Sequence, residues 1–372
     1  MFTLTSCTTK DFNDISNVLQ SKDHSHALSL LAKEKSTYYM QHPEKLKNDF
    51  KYLQSFLKNI SSNWGKNNIA IPKQKEYVQY MQDYKSRAII DFTKGTVRVE
   101  TLGDKKSLKK SIVTTLLLPE DPRKIDLYGS KDIKLGGRPY LYGEIKDDTG
   151  KDIRYQWRAN RYANILIEKN FKIKKVKKDN KYITVSFVEF KMVKSHTNIR
   201  ANKFKSYVSK YAKKYNFEES LIYSIIKTES NFNQFAVSGA GAYGLMQIVP
   251  SSAGIDAYYY LNAKKVKPSK EYLFDPKNNI ELGVTYLHIL DKKYLKGINN
   301  RLSREYCVIS AYNTGSGNVL KTFSSNKTRA KQKINSLSPT KVYNTLRTKL
   351  PYDETRNYLK KVVYSQKEFI KL

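Results

Sequence analysis

The apolar residues of this 372-residue chain change period near residue 202. Before it they alternate in short runs. Ala88, Ile90 and Phe92 stand before a turn at Thr93-Lys94-Gly95, and Val97 and Val99 follow it, the pattern of a β-hairpin. From Asn202 to the C-terminus they recur at helical spacing instead. The length is large for one core and comfortable for two. The chain therefore reads as α+β: a mainly helical domain over 201–372, a smaller α+β domain over 46–200, and a polar tether over 1–45. The polar stretch 195–202 marks the boundary.

Within the smaller domain, helical character runs through Phe50, Leu53, Phe56 and Leu57. Leu108, Ile112, Thr115 and Leu116 predict a helix that ends before Pro119 and Pro122. Strands are expected over 140–145 and 182–193, a turn at Asp147-Asp148-Thr149-Gly150, and a helix over 158–169. No catalytic constellation and no internal repeat is visible there.

No apolar run is long enough to cross a bilayer. The 68 Lys and Arg residues against 34 Asp and Glu leave a net charge of +34. Such a surface attracts nucleic acid, anionic lipid or an acidic polymer, and it is equally the solvated face of a Lys-rich composition. Charge alone names no partner. Cys7 and Cys307 are far apart, and the five histidines, His24 and His26 among them, form no ligand pair. No metal and no cofactor is expected. Cys307 lies in an apolar run and reads as a buried thiol. Leu4-Thr5-Ser6-Cys7 has the form of a lipobox, which would make Cys7 a lipidation site, although only six residues precede it.

The helical half carries the chemistry. Leu221, Ile222, Ile225 and Ile226 form an apolar stripe that continues onto Glu229 and Phe232. Asn216 is expected as the N-cap of this helix, with Glu219 in a capping box. A carboxyl turned inward at the negative end of a helix dipole is harder to ionise, which suits a general acid. Gly239-Ala240-Gly241-Ala242-Tyr243-Gly244-Leu245-Met246-Gln247-Ile248 follows as a glycine-rich loop, and Gln247 offers both a donor and an acceptor. Asp275-Pro276 opens a helix, and a further helix reaches Tyr312-Asn313 before Thr314-Gly315 stops it. Core packing accounts for Tyr312 as simply as a contact to a buried carboxyl does.

Glu229-Ser230, Gly244-Leu245-Met246-Gln247-Ile248 and Ala311-Tyr312-Asn313 together resemble the three signature motifs of family 1 lytic transglycosylases. Tyr84-Lys85-Ser86-Arg87, Gly95-Thr96-Val97-Arg98-Val99-Glu100-Thr101, Asp126-Leu127-Tyr128 and Leu141-Tyr142-Gly143 are similar to the accessory domain of the membrane-bound lytic murein transglycosylase C subfamily. The resemblance implies a lysozyme-like catalytic domain with Glu229 as acid and base. Ser230, Ser238, Gly244, Met246, Gln247, Tyr312, Asn313 and Tyr358 are its implied supporting residues. Ser238 would sit near the carboxyl, Tyr312 would hydrogen-bond it, and Tyr358 would line the cleft. Val249 and Thr314 depart from the usual pattern. The partners implied are peptidoglycan glycan strands and, through Cys7, outer-membrane lipid. Neither nucleic acid nor an oligomeric state is implied.

Ordinary glycosidases flank the scissile bond with two carboxylates. No Asp or Glu lies between Glu229 and Asp256, which leaves Asp256, Asp275 and Glu281 as conceivable partners. A one-carboxylate enzyme would use the 2-acetamido group of N-acetylmuramic acid and close a 1,6-anhydro ring without water. The alternatives are a goose-type muramidase, which hydrolyses the same bond, and a catalytically silent peptidoglycan-binding protein.

Overall fold

A computed structural model of the chain describes residues 43–238 and 241–370. Residues 1–42 of the tether, with the lipobox at Cys7, His24 and His26, and the loop residues Gly239 and Ala240 lie outside them. The described chain forms two compact units.

The first unit is built on one antiparallel sheet in the order β1-β2-β3-β5-β4. Its strands are β1 (Glu76–Met81), β2 (Ser86–Asp91), β3 (Thr96–Thr101), β4 (Lys172–Lys178) and β5 (Lys181–Lys191). The expected hairpin pairs Ala88 with Val99 and Ile90 with Val97. Period-2 alternation puts these four on one face with Tyr77, Val188 and Phe190, and all seven are buried. Helices α2 (Lys105–Leu116) and α3 (Gln156–Asn170) cover that face with Leu108, Ile112, Leu116, Ala159, Ala163 and Leu166. Asp104 caps α2 by accepting from the Ser107 N–H.

Helix α1 (Pro43–Trp64) ends on the buried Trp64, which lies under the Arg87 guanidinium at 3.9 Å. Arg87 pairs with Glu100 across β2 and β3, and Lys174 of β4 reaches the same carboxylate. All three charges serve one buried site, because an unpaired carboxylate there would be costly.

Three elements differ from the sequence expectation. Residues 140–145 make no strand. Gly143 has φ +80 and the backbone turns twice, from Pro139 O to the Tyr142 N–H and from Leu141 O to the Glu144 N–H. Tyr140, Leu141 and Ile145 of this run are buried without a ladder. Strands β1 and β4 were not anticipated. β1 is buried on both faces and so lacks the alternation that betrays a strand, while β4 is a lysine-rich edge strand with few apolar residues.

Residues Asn231–Gly244 and Ser269–Asp275 also belong to the first unit. Phe235 packs against Tyr77, Tyr140 and Phe274 with ring centroids 5.2–5.7 Å apart. The Asn231 and Gln234 side chains donate to the carbonyls of Phe92 and Glu120, and Tyr140 donates to Asn233. Arg200, buried and paired with Glu144, donates to the Asn231 carbonyl at 3.0 Å.

The second unit holds Ala201–Ser230, Leu245–Pro268 and Pro276–Leu372 and is helical throughout. Helix α4 (His196–Lys203) leads into it, followed by α5 (Lys205–Tyr215) and α6 (Glu219–Ser230). Next come α7 (Ile255–Asn262), α8 (Pro276–Ile289) and α9 (Arg301–Thr314), and then four more to α13 (Asp353–Gln366). Helix α6 buries Leu221, Ile222, Ile225 and Ile226, and α13 packs along it. Asn216 does not cap α6. It closes α5 in the left-handed conformation with φ 56, donating its N–H to Ala212, a role that asparagine takes readily.

Candidate active site

Glu229 is the penultimate residue of α6 and is partly exposed, while Ser230 beside it is fully buried. The Ser230 hydroxyl donates to Leu245 O at 2.8 Å, a contact that ties the end of α6 to the Leu-Met-Gln turn. The turn is held from two more directions. Asn279, buried on α8, accepts the Met246 N–H at 2.7 Å, and Tyr312 on α9 donates to Met246 O at 2.8 Å. With both backbone groups of Met246 occupied, the next residue is set in a left-handed conformation: Gln247 has φ 49 and is buried.

Met246 also explains a glycine. A side-chain carbon at Gly283 of α8 would come within 2.9 Å of Met246 Cβ. The absence of a side chain at 283 is what admits Met246 to its place. Neither Asn279 nor Gly283 carries a sequence signal that links it to the motif, because the spacing of 33 and 37 residues is set by packing.

Two phenols surround the carboxyl. Burial, then the charge of Glu229, then Tyr286 hold the Tyr312 phenol well above its ordinary value. Tyr358 of α13 is raised in the same way, first by burial and next by Glu229. Its hydroxyl has no hydrogen-bond partner within normal distance, yet Glu229 is near enough for a weak, long hydrogen bond to add to the shift. Tyr312 spends its single proton on Met246, so toward Glu229 it can act only as an acceptor. Asn313 accepts from Thr355 Oγ1 at 2.7 Å and so fastens α9 to α13 next to these rings.

Glu229, Ser230, Met246, Gln247, Tyr312, Asn313 and Tyr358 thus all lie in the second unit. Ser238 and Gly244 lie in the first, where Ser238 exchanges hydrogen bonds with Ala242 and the Gly244 N–H donates to Ala236. Among the conceivable second carboxylates, Asp256 is exposed and acts on Tyr286, and Asp275 ends the short helix Lys270–Phe274 of the first unit. Glu229 is the carboxylate whose charge raises both Tyr312 and Tyr358. Cys307 is buried, which pushes its thiol up to about 12 and makes it inert.

Residues 39–203 match the family model described as the N-terminal domain of membrane-bound lytic murein transglycosylase C, and residues 206–335 match the transglycosylase SLT domain. The chain is 42% identical to the membrane-bound lytic murein transglycosylase C of Klebsiella pneumoniae (strain 342), over 90% of this chain and 93% of that one. It is 43% identical to the protein of that name from Serratia proteamaculans (strain 568), over 87% and 90%. The solved lytic transglycosylase Slt of Pseudomonas aeruginosa aligns with 44% of this chain and 23% of its own at 26% identity, with a TM-score of 0.35, a slight likeness.

Proposed function

The chain belongs to the membrane-bound lytic murein transglycosylase C family, and from that premise we propose that Glu229 is the acid and base with which it cleaves peptidoglycan glycan strands. The protein is a peptidoglycan lytic transglycosylase, a lyase. The observation that carries the assignment of Glu229 is its position: it stands in the last turn of α6 next to Ser230, which is tied to the clamped Leu245-Met246-Gln247 turn, and its charge is felt by two buried phenols.

Protonated Glu229 gives its proton to the oxygen that bridges N-acetylmuramic acid and N-acetylglucosamine. The acetamido oxygen of the muramic acid captures C1 as that bond breaks. Glutamate 229, now a carboxylate, takes the proton of the same sugar's C6 hydroxyl, and O6 displaces the acetamido oxygen to close a 1,6-anhydro ring. The carboxyl ends protonated as it began, and no water is consumed. One carboxylate suffices because the substrate supplies the second nucleophile. Gln247 would bind sugar substituents, Ser230 and Tyr312 would hold the turn, and Tyr358 would border the carboxyl.

Mass analysis of products from purified glycan strands tests activity and reaction type together. Wild type should release 1,6-anhydro ends, and Glu229→Gln should release none while melting at the wild-type temperature. Free hemiacetal ends would identify a hydrolase instead, and substantial cleavage by Glu229→Gln would move the catalytic role to another residue.

The relatives are named membrane-bound, and among the described residues no helix is long and apolar enough to cross a membrane. We propose lipid attachment at Cys7, with the protein held at the periplasmic face of the outer membrane. Fatty-acid labelling of the protein expressed in its own cells should be lost in Cys7→Ser. Equal labelling of the two would rule this anchor out.

A further inference from the structure

The first unit carries a groove of about 390 Å³ that has no part in the chemistry above. Leu117, Leu135, Gly136 and Gly137 line it together with Arg154, Tyr155 and Gln156. Both glycines have positive φ, and a side-chain carbon placed on either would meet nothing within 4 Å, so this wall is bare, open backbone. Tyr155, on the same lining, stands at the start of α3 with 58% of its surface exposed, and Trp157, one residue past the lining, has 59%. The chain's other tryptophan, Trp64, is fully buried. Arg154 lies 5.9 Å from the Tyr155 ring and Arg158 lies 4.6 Å from the Trp157 ring. Single exposed apolar residues are ordinary, but a groove lined by an exposed ring and an arginine, with a second exposed ring one residue past the lining, has the composition of a binding site.

We propose that this groove binds a β-1,4-linked N-acetylated amino-sugar strand away from the cleavage site, which rests on the reading of the enzyme as acting on peptidoglycan. Pyranose rings present flat C–H faces that stack on exposed aromatic side chains. Gln156 supplies a donor and an acceptor for acetamido and hydroxyl groups, and the bare Gly136-Gly137 backbone lets a ring approach closely. Arg154 complements the carboxylates that lactyl groups and stem peptides carry. A bilayer surface also attracts Trp, Tyr and Arg, but it needs aliphatic anchors as well. The groove's own aliphatic residues do not supply them, since Leu117 and Pro139 are buried and Leu135 is half-buried.

The test uses the full chain with Glu229→Gln, which binds without cutting. Titration with the N-acetylglucosamine tetramer should change tryptophan emission saturably, and because Trp64 is buried that signal reports Trp157. Trp157→Phe should remove the signal yet keep binding to purified sacculi within about twofold. Tyr155→Ala with Trp157→Ala should weaken sacculus binding by about tenfold, the size expected for truncating an aromatic anchor. The same pair in the active enzyme should leave cleavage of short soluble strands unchanged, since neither residue is in the catalytic machinery. Sacculus binding unaffected by the double substitution would overturn the proposal, as would emission that does not respond to the tetramer. Loss of binding to phosphatidylethanolamine–phosphatidylglycerol vesicles, with sacculus binding intact, would assign the surface to membrane instead. If the wild-type enzyme releases no anhydro product from strands, the assigned activity fails separately from this groove.

Discussion

The Tyr312 hydroxyl donates to the Met246 carbonyl oxygen at 2.8 Å, and the Met246 N–H is held by Asn279 at 2.7 Å. The tyrosine of the third motif therefore holds the second motif, 66 residues earlier, and has no proton left to donate to the first. Its role is to fix the turn that delivers Gln247.

The two phenols are separable on this basis. Tyr312→Phe removes a hydrogen bond worth about 1 kcal/mol and releases Met246. Turnover should drop about fivefold to tenfold, with KM raised, and the pH–rate profile should keep its shape. Tyr358→Phe removes a hydroxyl dipole from beside the carboxyl without breaking a normal hydrogen bond. That favours the protonated carboxyl, so the alkaline limb of the profile should move to higher pH. Steady-state rates across pH for both variants decide the matter, and identical profiles would mean that neither hydroxyl tunes Glu229.

Gly283→Ala should disturb Met246 more than an exchange so small usually does. The new carbon would press on Met246 Cβ at 2.9 Å, and the Met246 backbone is held at both its N–H and its carbonyl. Overpacking of this kind costs about 1–3 kcal/mol. Thermal melts should show a clear fall, with strand cleavage reduced further than the melt explains. A melting temperature equal to wild type would show that the turn shifts freely.

Acid should weaken the first unit through Glu100. Burial alone would raise its pKa, but Arg87 and Lys174 more than offset this and the carboxyl titrates below its ordinary value. The unfolded chain then binds the proton more readily than the folded one. The stabilisation is complete above the unfolded value, about pH 4.3, and is lost as pH falls through the lower folded one. Glu100→Gln should be less stable at pH 7, where it leaves Arg87 buried without its partner, and should lose less of its melting temperature between about pH 5 and pH 3. Parallel melting curves for variant and wild type over that range would exclude Glu100 as the group responsible.

Much of this protein could be read along the chain. Alternation at 88–99 is a hairpin, the stripe from Leu221 to Ile226 is a buried helix face, and Glu229 ends that helix. Such features are legible because side-chain periodicity and chain-stopping residues act over a few neighbours. β1 escaped because burial on both faces erases the alternation, and 140–145 misled because an aromatic and aliphatic run can be buried in turns as well as in a ladder. Asn216 misled because asparagine suits the end of one helix as well as the start of the next. The proton of Tyr312, the clamp of Asn279, the space left by Gly283 and the grouping of residues 231–244 with the first unit were decided by tertiary structure alone. Each depends on which distant segments pack together, and hydrogen-bond partners over 33 or 66 residues leave no periodic trace in the chain that forms them.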